Sequence, residues 1–400
     1  MSEGIEIIPD GTVTTPRGFS AGAVHVGVRT DWDKLDVGLL YSEQPCLAAA
    51  VSTKNSLPGA SLIVSRKHLS NGRAQAVAAN AGCANAATGQ RGLDDAVEMA
   101  RLAGAKLGID PHEVVVASTG VIGTFLPMER MRRGVEEIAL SAEGGPEFAQ
   151  AIMTTDTVPK HVAVRCGGWC IGGVAKGVGM IHPNLATMLI FLTTDAPVEI
   201  GFLRHSLQLA AESSFNMLTV DGDTSTNDSV FLLANGEAGG PALDGISPGS
   251  AGFQRALELV CVELSKAIVR GAEGSSKLIE VIVEGAAREA DARLIARTIA
   301  GSSLVKTAVH GNDPNWGRIL AAAGRSGVSF APEKVDVYIG DLKVMEAGRP
   351  LNFDWQQGMA QLDREEVSLR VALNQGSTSA VAWGCNLSEE YVILNSVYTT

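Results

Sequence analysis

The sequence is poor in aromatic residues and in positive charge. Aromatic side chains make up 5% of the 400 residues, and 32 Lys and Arg stand against 44 Asp and Glu, giving a net charge of −12. Proteins that bind single-stranded nucleic acid by base stacking need exposed aromatic side chains, and phosphate-binding surfaces need an excess of basic ones. Both shortages argue against nucleic-acid binding, so we expect no nucleic-acid partner.

Long apolar stretches are also missing. The sequence contains no run of about 18 apolar residues, which a membrane-spanning helix would require. The N-terminal stretch MSEGIEIIPDGTV has a mixed composition and no apolar core of the kind that signal peptides carry. We therefore expect no membrane partner and a cytoplasmic location.

Cysteines are few and scattered. Of the six, Cys166 and Cys170 are the one close pair, and no second pair with ligand spacing accompanies them. A structural zinc site needs four ligands, usually supplied as two such pairs. We therefore expect reduced, mostly buried thiols and no metal.

Glycine is abundant, at 45 of 400 residues, and 46% of the chain is hydrophobic. That length and composition suit a globular protein with two or three lobes and many tight turns. Apolar side chains recur at helical spacing in 94–108, 251–269 and 288–299, and Asp94 and Asp95 suit the start of the first helix. Short apolar runs predict strands at 114–117, 278–283, 335–339, 367–373 and 379–385. The alternation predicts a mixed α/β fold with several lobes.

The stretch HPNLATMLIF at 182–191 places Ala186 and Thr187 between a glycine-rich approach and an apolar strand. A threonine hydroxyl is a poor nucleophile unless a base lies next to it. An N-terminal threonine carries such a base, because its own α-amine can take the hydroxyl proton near neutral pH. Thr187 would gain this amine if the Ala186–Thr187 bond broke through attack of its hydroxyl on the preceding carbonyl.

The flanking residues suit this chemistry. Gly172, Gly173, Gly177 and Gly179 would permit a strained turn before the scissile bond, and 188–192 would anchor the new N-terminus as a buried strand. Taken alone, the same pattern also describes an ordinary strand start.

Seven further blocks accompany the stretch AKGVGMIHPNLATMLIFLTTDA, and all eight resemble the ornithine acetyltransferase (ArgJ) family in the same order. The resemblance covers essentially the whole chain. The seven are NAGCANAATG at 80–89, STGVIG at 118–123, AIMTTDTVPK at 151–160, DGDTSTND at 221–228, GAEGSSK at 271–277, SLVKTAVHGNDPNWGR at 303–318 and NSVYTT at 395–400.

The resemblance implies an enzyme of arginine biosynthesis that moves the acetyl group of N-acetylornithine to glutamate. It implies self-cleavage into an α chain, 1–186, and a β chain, 187–400, that remain associated as α2β2. The implied fold is a multilayer α/β (α+β) fold of the DmpA/ArgJ type, in which mixed sheets pack against helices, with a smaller C-terminal α/β domain from about 280 to 400. No cofactor is implied, although acetyl-CoA serves some members as a second acetyl donor.

The resemblance also implies roles for individual residues. Thr187 is the nucleophile that carries the acetyl group, and Thr119 and Gly120 form the oxyanion hole. The substrate-binding positions are Thr154, Lys176, Thr187, Glu273, Asn395 and Thr400. A strand that ends in Ser-Thr-Gly can direct a hydroxyl and a backbone N–H to one point, and a carboxylate at Glu273 suits the δ-ammonium group of ornithine.

Several features stay open. His182 adjoins the cleavage site, but an α-amine base leaves it no catalytic task, so we expect a structural role. DPNWGR at 313–318 and STND at 225–228 receive no chemical role from their residues. An N-terminal-nucleophile aminopeptidase or amidase would use the same threonine for hydrolysis, and a non-catalytic small-molecule binder would not cleave itself.

Overall fold

The computed structural model describes residues 4–30, 33–182 and 188–397. Within these ranges, sixteen strands form two mixed sheets, and the first sheet has nine strands. Its strands are β1 Ile5–Ile8, β2 Phe19–Val24, β3 Val37–Ser52, β4 Arg73–Asn80, β5 Val114–Ser118, β6 Lys160–Cys166, β7 Trp169–Lys176, β8 Leu189–Thr194 and β10 Ser229–Ala234. The path through the sheet is β1-β6-β7-β8-β10-β3-β4-β5, with β2 paired to β3.

The second sheet has seven strands in the described part of the chain, in the order β14-β13-β12-β15-β11-β16-β9. They are β9 Leu218–Thr219, β11 Leu278–Ala286, β12 Asp336–Ile339, β13 Leu342–Glu346, β14 Arg349–Pro350, β15 Glu366–Ala372 and β16 Thr378–Cys385. Apart from the two residues of β9, this sheet is built from 278 onward. The mixed α/β architecture agrees with the fold class predicted from the sequence.

The described ranges contain eleven α-helices and four short 3₁₀ turns. The helices are α1 Ala60–His68, α2 Gly89–Leu107, α3 Met128–Glu137, α4 Gly145–Ala151, α5 Ile200–Ser213, α6 Ser250–Arg270, α7 Glu289–Ala300, α8 Ser303–His310, α9 Trp316–Gly324, α10 Trp355–Leu362 and α11 Glu389–Val397. The turns are Leu69–Asn71, Pro111–Glu113, Phe215–Met217 and Pro332–Lys334. None of the described helices combines the length and apolar character needed to cross a membrane.

Side-chain alternation along the strands gives the first sheet two buried faces. Phe191 of β8 and Phe231 of β10 point to one face, where Phe148 of α4 packs against them. Ile190 and Leu192 point to the other face and join the core formed with α5 and α6. Helix α6 contacts β6 and β7 as well as β11 and β16 of the second sheet. The two sheets therefore share one hydrophobic core around this helix.

The helices and strands predicted from periodicity are present in the structure. The expected helices at 94–108, 251–269 and 288–299 correspond to α2, α6 and α7, and the five predicted strands correspond to β5, β11, β12, β15 and β16. All six cysteines lie in the described ranges; none of them forms a disulfide, and five are buried, as expected.

Two local predictions were wrong. Helix α2 begins at Gly89, so Asp94 and Asp95 lie within it rather than at its start. Gly172 and Gly173 do not form a turn; both lie in β7. An added Cβ on Gly172 would stand 2.0 Å from the Thr12 carbonyl oxygen, and one on Gly173 would stand 2.7 Å from Leu192 Cδ2. These glycines permit close packing of the strand, not a bend.

Candidate active site

A cavity opens where β5 ends, beside the connection between β7 and β8. Its lining includes Thr119, Gly120, Thr154, Lys176, Glu273 and Asn395. These are six of the sequence-predicted site residues, and they come from segments up to 276 positions apart in the chain (395 minus 119). The structure therefore brings together residues that the sequence places far apart, while their roles stay predictions.

The remaining predicted site residues, Ala186, Thr187 and Thr400, lie outside the described ranges. The described chain nevertheless fixes where β8 begins. Lys176, the last residue of β7, is paired with Leu189, the first residue of β8, in the antiparallel ladder. Because Lys176 lines the cavity, β8 starts beside the cavity.

Thr119 and Gly120 lie just beyond β5, on a backbone that packs closely against the NAGCANAATG block. The Thr119 N–H donates to the Asn80 carbonyl, at 3.0 Å, so its backbone donor is already in use. Gly120 has a φ of +129°, and an added Cβ would lie 2.3 Å from the Gly82 carbonyl carbon. Only glycine fits this conformation and this approach.

Both groups required of an oxyanion hole remain available at this point. Lys176 Nζ donates to Thr119 Oγ1 at 3.1 Å, which leaves the hydroxyl proton free to be donated elsewhere. The Gly120 N–H finds no hydrogen-bond acceptor among the described residues. The side chain of one residue and the backbone of the next can thus serve one developing negative charge.

Lys176 belongs to a buried charge cluster. Asp156 Oδ1 accepts from Lys160 Nζ at 2.5 Å and from the Gly177 N–H at 3.1 Å. Burial lowers the pKa of Lys176, and the nearby Asp156 carboxylate opposes that shift. Burial alone would raise the pKa of Asp156, but Lys160 and Lys176 hold it below its ordinary value. The negative charge of Asp156 therefore stabilises the buried ammonium group of Lys176 beside the Thr119 hydroxyl.

Glu273, another residue of the cavity lining, receives hydrogen bonds from two elements. Its Oε1 accepts from the Thr155 hydroxyl at 2.7 Å, and its Oε2 accepts from Asn395 Nδ2 of α11 at 2.9 Å. Thr154, the neighbour of Thr155, follows α4, and its N–H donates to Asp156 Oδ2 at 3.1 Å. This places a carboxylate in the lining of the same cavity as Thr119.

Sequence reasoning missed several lining residues, among them Thr155, Asp221, Asn227 and Tyr391. The second threonine of MTTD and the DGDTSTND block are easily noticed in the sequence. A threonine or an aspartate does not, however, indicate which distant residue it will contact in the fold. Tyr391 donates its hydroxyl to Asp221 Oδ2 at 3.2 Å. Its contribution follows only from the packing of α11 against the cavity.

Two other expectations concern neighbouring residues. His182 is half-buried and its Nδ1 lies 3.2 Å from Thr219 Oγ1; burial and the charge of Arg297 lower its pKa. It does not line the cavity, and its structural role stays a prediction. The DPNWGR block forms the turn before α9 and the first three residues of that helix, and none of its residues lines the cavity either. In the described ranges, no three His, Cys, Asp or Glu side chains are grouped to hold a metal ion.

The chain is similar to known proteins over almost its whole length. The model of the ArgJ family matches residues 20–400. An arginine biosynthesis bifunctional protein ArgJ from Dehalococcoides mccartyi is 50% identical over 405 aligned positions, covering 100% of both chains. The protein of that name from Symbiobacterium thermophilum is 51% identical over 98% of this chain and 99% of its own.

A solved structure adds to the comparison. The crystal structure of arginine biosynthesis bifunctional protein ArgJ from Bacillus halodurans is 42% identical, with a TM-score of 0.50, over 52% of this chain and 97% of the solved one. The family model spans nearly the whole sequence, and relatives at about 50% identity align along nearly the full length of the chain. The chain belongs to the ArgJ family.

Proposed function

We propose that this protein is a self-cleaving acetyltransferase of arginine biosynthesis that moves the acetyl group of N2-acetylornithine to glutamate. The observation that carries the proposal is the meeting of Thr119, Gly120, Lys176 and Glu273 in one cavity beside the start of β8. The family resemblance assigns these positions to oxyanion stabilisation and substrate binding. Family membership and the names of the relatives support the same activity.

Self-cleavage would create the nucleophile. The Thr187 hydroxyl oxygen attacks the Ala186 carbonyl carbon, the C–N bond breaks, and the hydroxyl proton passes to the departing nitrogen. Water then hydrolyses the ester, which leaves a carboxylate on Ala186, an α-ammonium group on Thr187 and the hydroxyl restored. Loss of a proton from the ammonium group provides the base that the threonine needs.

The length of the solved relative supports such a break. Because 52% of this chain matches 97% of the Bacillus halodurans chain, that chain is about half as long as this one. A break between 186 and 187 would leave two pieces of about that size, the α chain 1–186 and the β chain 187–400.

Acetyl transfer would then proceed in two halves. The Thr187 hydroxyl attacks the acetyl carbonyl of N2-acetylornithine, its proton moves to the α-amine, and the oxyanion is stabilised by the Thr119 hydroxyl and the Gly120 N–H. The same amine protonates the departing ornithine nitrogen, which leaves acetyl-Thr187. Glutamate enters, its amine attacks the ester, and N-acetylglutamate departs as the threonine hydroxyl is restored. Glu273 is positioned to hold the δ-ammonium group of ornithine.

Three further statements belong to the same proposal. The relatives are named bifunctional, which supports a second activity, and acetyl-CoA is the proposed second acetyl donor. The two chains associate as α2β2. The enzyme works in the cytoplasm with no bound cofactor.

Intact mass spectrometry with and without N-acetylornithine tests the proposal. Wild-type protein is expected as two chains, one ending at Ala186 and one beginning at Thr187, and the second chain gains one acetyl group with substrate. Thr187→Ala is expected to stay in one piece and to lose activity entirely. Active wild-type protein with an unbroken backbone between 186 and 187 would refute the mechanism.

Product analysis separates the two alternatives. A transferase converts N-acetylornithine and glutamate to N-acetylglutamate, whereas an aminopeptidase or amidase of the same architecture releases free acetate. A non-catalytic binder yields neither product and remains a single chain of 41.6 kDa on a denaturing gel.

A further inference from the structure

The block SLVKTAVHGNDPNWGR at 303–318 contributes no residue to the cavity lining. The end of α8 and the turn after it, which this block forms, instead contact the two chain segments 271–277 and 386–397. Both segments contribute to the lining, the first through Glu273 and the second through Asn395. A block without a chemical role of its own therefore meets the two segments that carry this part of the cavity.

Asn386 joins these segments to one another. It lies between β16 and α11 and is buried, at 2% exposure. Its Oδ1 accepts from the N–H groups of Ser276 and Lys277, at 3.0 and 2.9 Å, and from the Ser275 hydroxyl at 3.0 Å. Its Nδ2 donates to Ser276 Oγ at 3.1 Å and to His310 Nδ1 at 3.0 Å. The two backbone donors identify the oxygen of this amide, and both ends of the side chain have partners.

His310, the last residue of α8, connects Asn386 to α11. Because its Nδ1 accepts from the Asn386 amide, the proton of the neutral ring lies on Nε2. That nitrogen lies 3.2 Å from Oε2 of Glu389, the first residue of α11, and can donate to it. A carboxylate at this position also suits the positive end of the helix dipole. One imidazole ring therefore bridges Asn386 and the N-terminus of α11.

The end of α8 is fixed by the body of the protein and not only by α11. Lys277 Nζ donates to the Val309 carbonyl at 3.2 Å and to the Leu362 carbonyl at 2.7 Å. It also donates to Asn312 Oδ1, and Asn312 Nδ2 donates to Asp363 Oδ1 at 2.8 Å. The turn that follows His310 is thus tied to the end of α10, through a lysine of the segment that carries Glu273.

The first turn of α11 packs directly on the residue after Glu273. The Ser388 hydroxyl donates to the Gly274 carbonyl at 2.5 Å and accepts from the Tyr391 N–H at 3.3 Å. Gly274 has a φ of +65°, and an added Cβ would lie 2.4 Å from the Tyr391 nitrogen. Only glycine combines this conformation with this close approach. A shift of the helix start would therefore be felt at Glu273.

Hydrophobic burial does not hold α11. None of its nine residues is buried, and an isolated helix shorter than about 12–15 residues is marginal in water. Beyond its first turn, the side chains that tie it to the cavity are Tyr391, which donates to Asp221 at 3.2 Å, and Asn395, which donates to Glu273 at 2.9 Å. The orientation of α11 over the cavity therefore depends on polar contacts, and those at its start come from His310 and Ser388.

We propose that His310 is a positioning residue for substrate binding. Together with Asn386 it fixes the start of α11 against segment 273–277, so that Glu273 and Asn395 keep the arrangement that the substrate meets. His310 acts through Glu389 and does not line the cavity itself. The proposal rests on the function proposed above for the identity of the substrate, N-acetylornithine.

Steady-state kinetics of His310→Ala test this role. The variant loses the acceptor for Asn386 and the donor for Glu389, so α11 is held less firmly. We expect KM for N-acetylornithine to rise about fivefold, the factor that corresponds to one ordinary hydrogen bond. We expect kcat to stay within about twofold of the wild type, because donors fixed by buried backbone near β5 stabilise the transition state.

Three further variants accompany this one. His310→Gln offers both an acceptor and a donor and should recover most of the wild-type KM. Glu389→Ala changes a side chain that is 85% exposed, so it keeps the test available if His310→Ala does not fold; KM should rise about twofold. His112→Ala is the matched control, because His112 pairs with the exposed Asp110 at 3.1 Å outside the cavity lining. It should keep the wild-type KM.

Hydrogen exchange of backbone amides tests the positioning without substrate. In His310→Ala, the amides of 389–397 should exchange about fivefold faster than in the wild type, because fewer contacts oppose local opening of the helix. The amides of β5 should exchange at the wild-type rate in the same variant. His112→Ala should leave exchange in 389–397 unchanged.

The outcomes are distinct. If His310→Ala keeps the wild-type KM, or lowers kcat with KM unchanged, a role in substrate binding is refuted. If its α11 exchanges at the wild-type rate, or if His112→Ala has the same effects, positioning by His310 is refuted. If the wild type itself transfers no acetyl group, the failure lies in the proposed function, and the exchange experiment still decides whether His310 positions α11.

Discussion

The two sides of the cavity are held in place by different kinds of contact. At the β5 side, Thr119 and Lys176 are almost completely buried, at 4% and 2% exposure, and the backbone itself fixes their positions. At the α11 side, Glu273 is held by side-chain hydrogen bonds to Thr155 and Asn395. No residue of α11 is buried, and Val392, Ile393 and Val397 are largely exposed.

This difference matches two different tasks. Stabilising a developing charge requires donors that do not reorganise during the reaction, and buried backbone provides them. Binding one substrate and then releasing it for another requires contacts that can be made and broken, and exposed side chains provide those. The comparison predicts that substitutions on the β5 side alter kcat, whereas substitutions on the α11 side alter KM.

The largest effect is expected at Thr119. Thr119→Val keeps the shape of the side chain but removes the hydroxyl, so kcat for acetyl transfer should fall about 10²–10³-fold with little change in KM. Thr119→Ser keeps the hydroxyl and should retain most of the activity. Steady-state kinetics on the cleaved enzyme measure both. A large KM effect with unchanged kcat would contradict the division between the two sides.

A smaller effect is expected at Glu273. Glu273→Gln removes the negative charge and preserves the size of the side chain, so KM for N-acetylornithine should rise about 10–100-fold while kcat changes little. Glu366→Gln is the control, because Glu366 is an exposed carboxylate that pairs with Arg270 outside the cavity lining. Equal KM values for the two variants would remove Glu273 from substrate binding.

The smallest effect concerns stability on the buried side. Asp228 has its pKa raised to about 7 by burial, whereas an unfolded aspartate titrates near 3.9. At pH values between these two pKa values, the folded state holds a proton that the unfolded state has lost. The free energy of unfolding therefore decreases as pH rises from about 4 to 7. In uncut Thr187→Ala, adding Asp228→Asn should therefore raise Tm progressively across that range, by roughly a few degrees. A constant Tm difference at every pH would contradict the raised pKa.

The sequence was a good guide wherever one local rule decided the structure. Helix α6 shows a complete apolar periodicity, and its predicted range of 251–269 differs from Ser250–Arg270 by one residue at each end. The start of α2 was wrong because Gly89, Gln90 and Arg91 carry no apolar signal. Gly172 and Gly173 were misread because a glycine that opens a turn and a glycine that admits a neighbouring backbone are identical in sequence.

The site was predictable only in part. Physical reasoning on single residues was compatible with a nucleophile at Thr187 and donors at Thr119 and Gly120 but did not select them, and it could not bring Glu273 or Asn395 to the same cavity. Those assignments came from the family resemblance, since contacts between distant segments leave no local pattern. Asp156, Asp221 and Asp228 were missed for the same reason: a carboxylate that binds a backbone N–H resembles any other aspartate in a loop.

Strand β8 lies inside the first sheet, bonded to β7 on one side and to β10 on the other. After a break just before β8, the two halves of the molecule would be held together by a shared sheet and no longer by a peptide bond. Refolding of the broken molecule from denaturant then requires two chains to meet, so its rate should depend on protein concentration. The unbroken chain folds without that encounter, so cutting after folding would make the native assembly easier to keep than to rebuild.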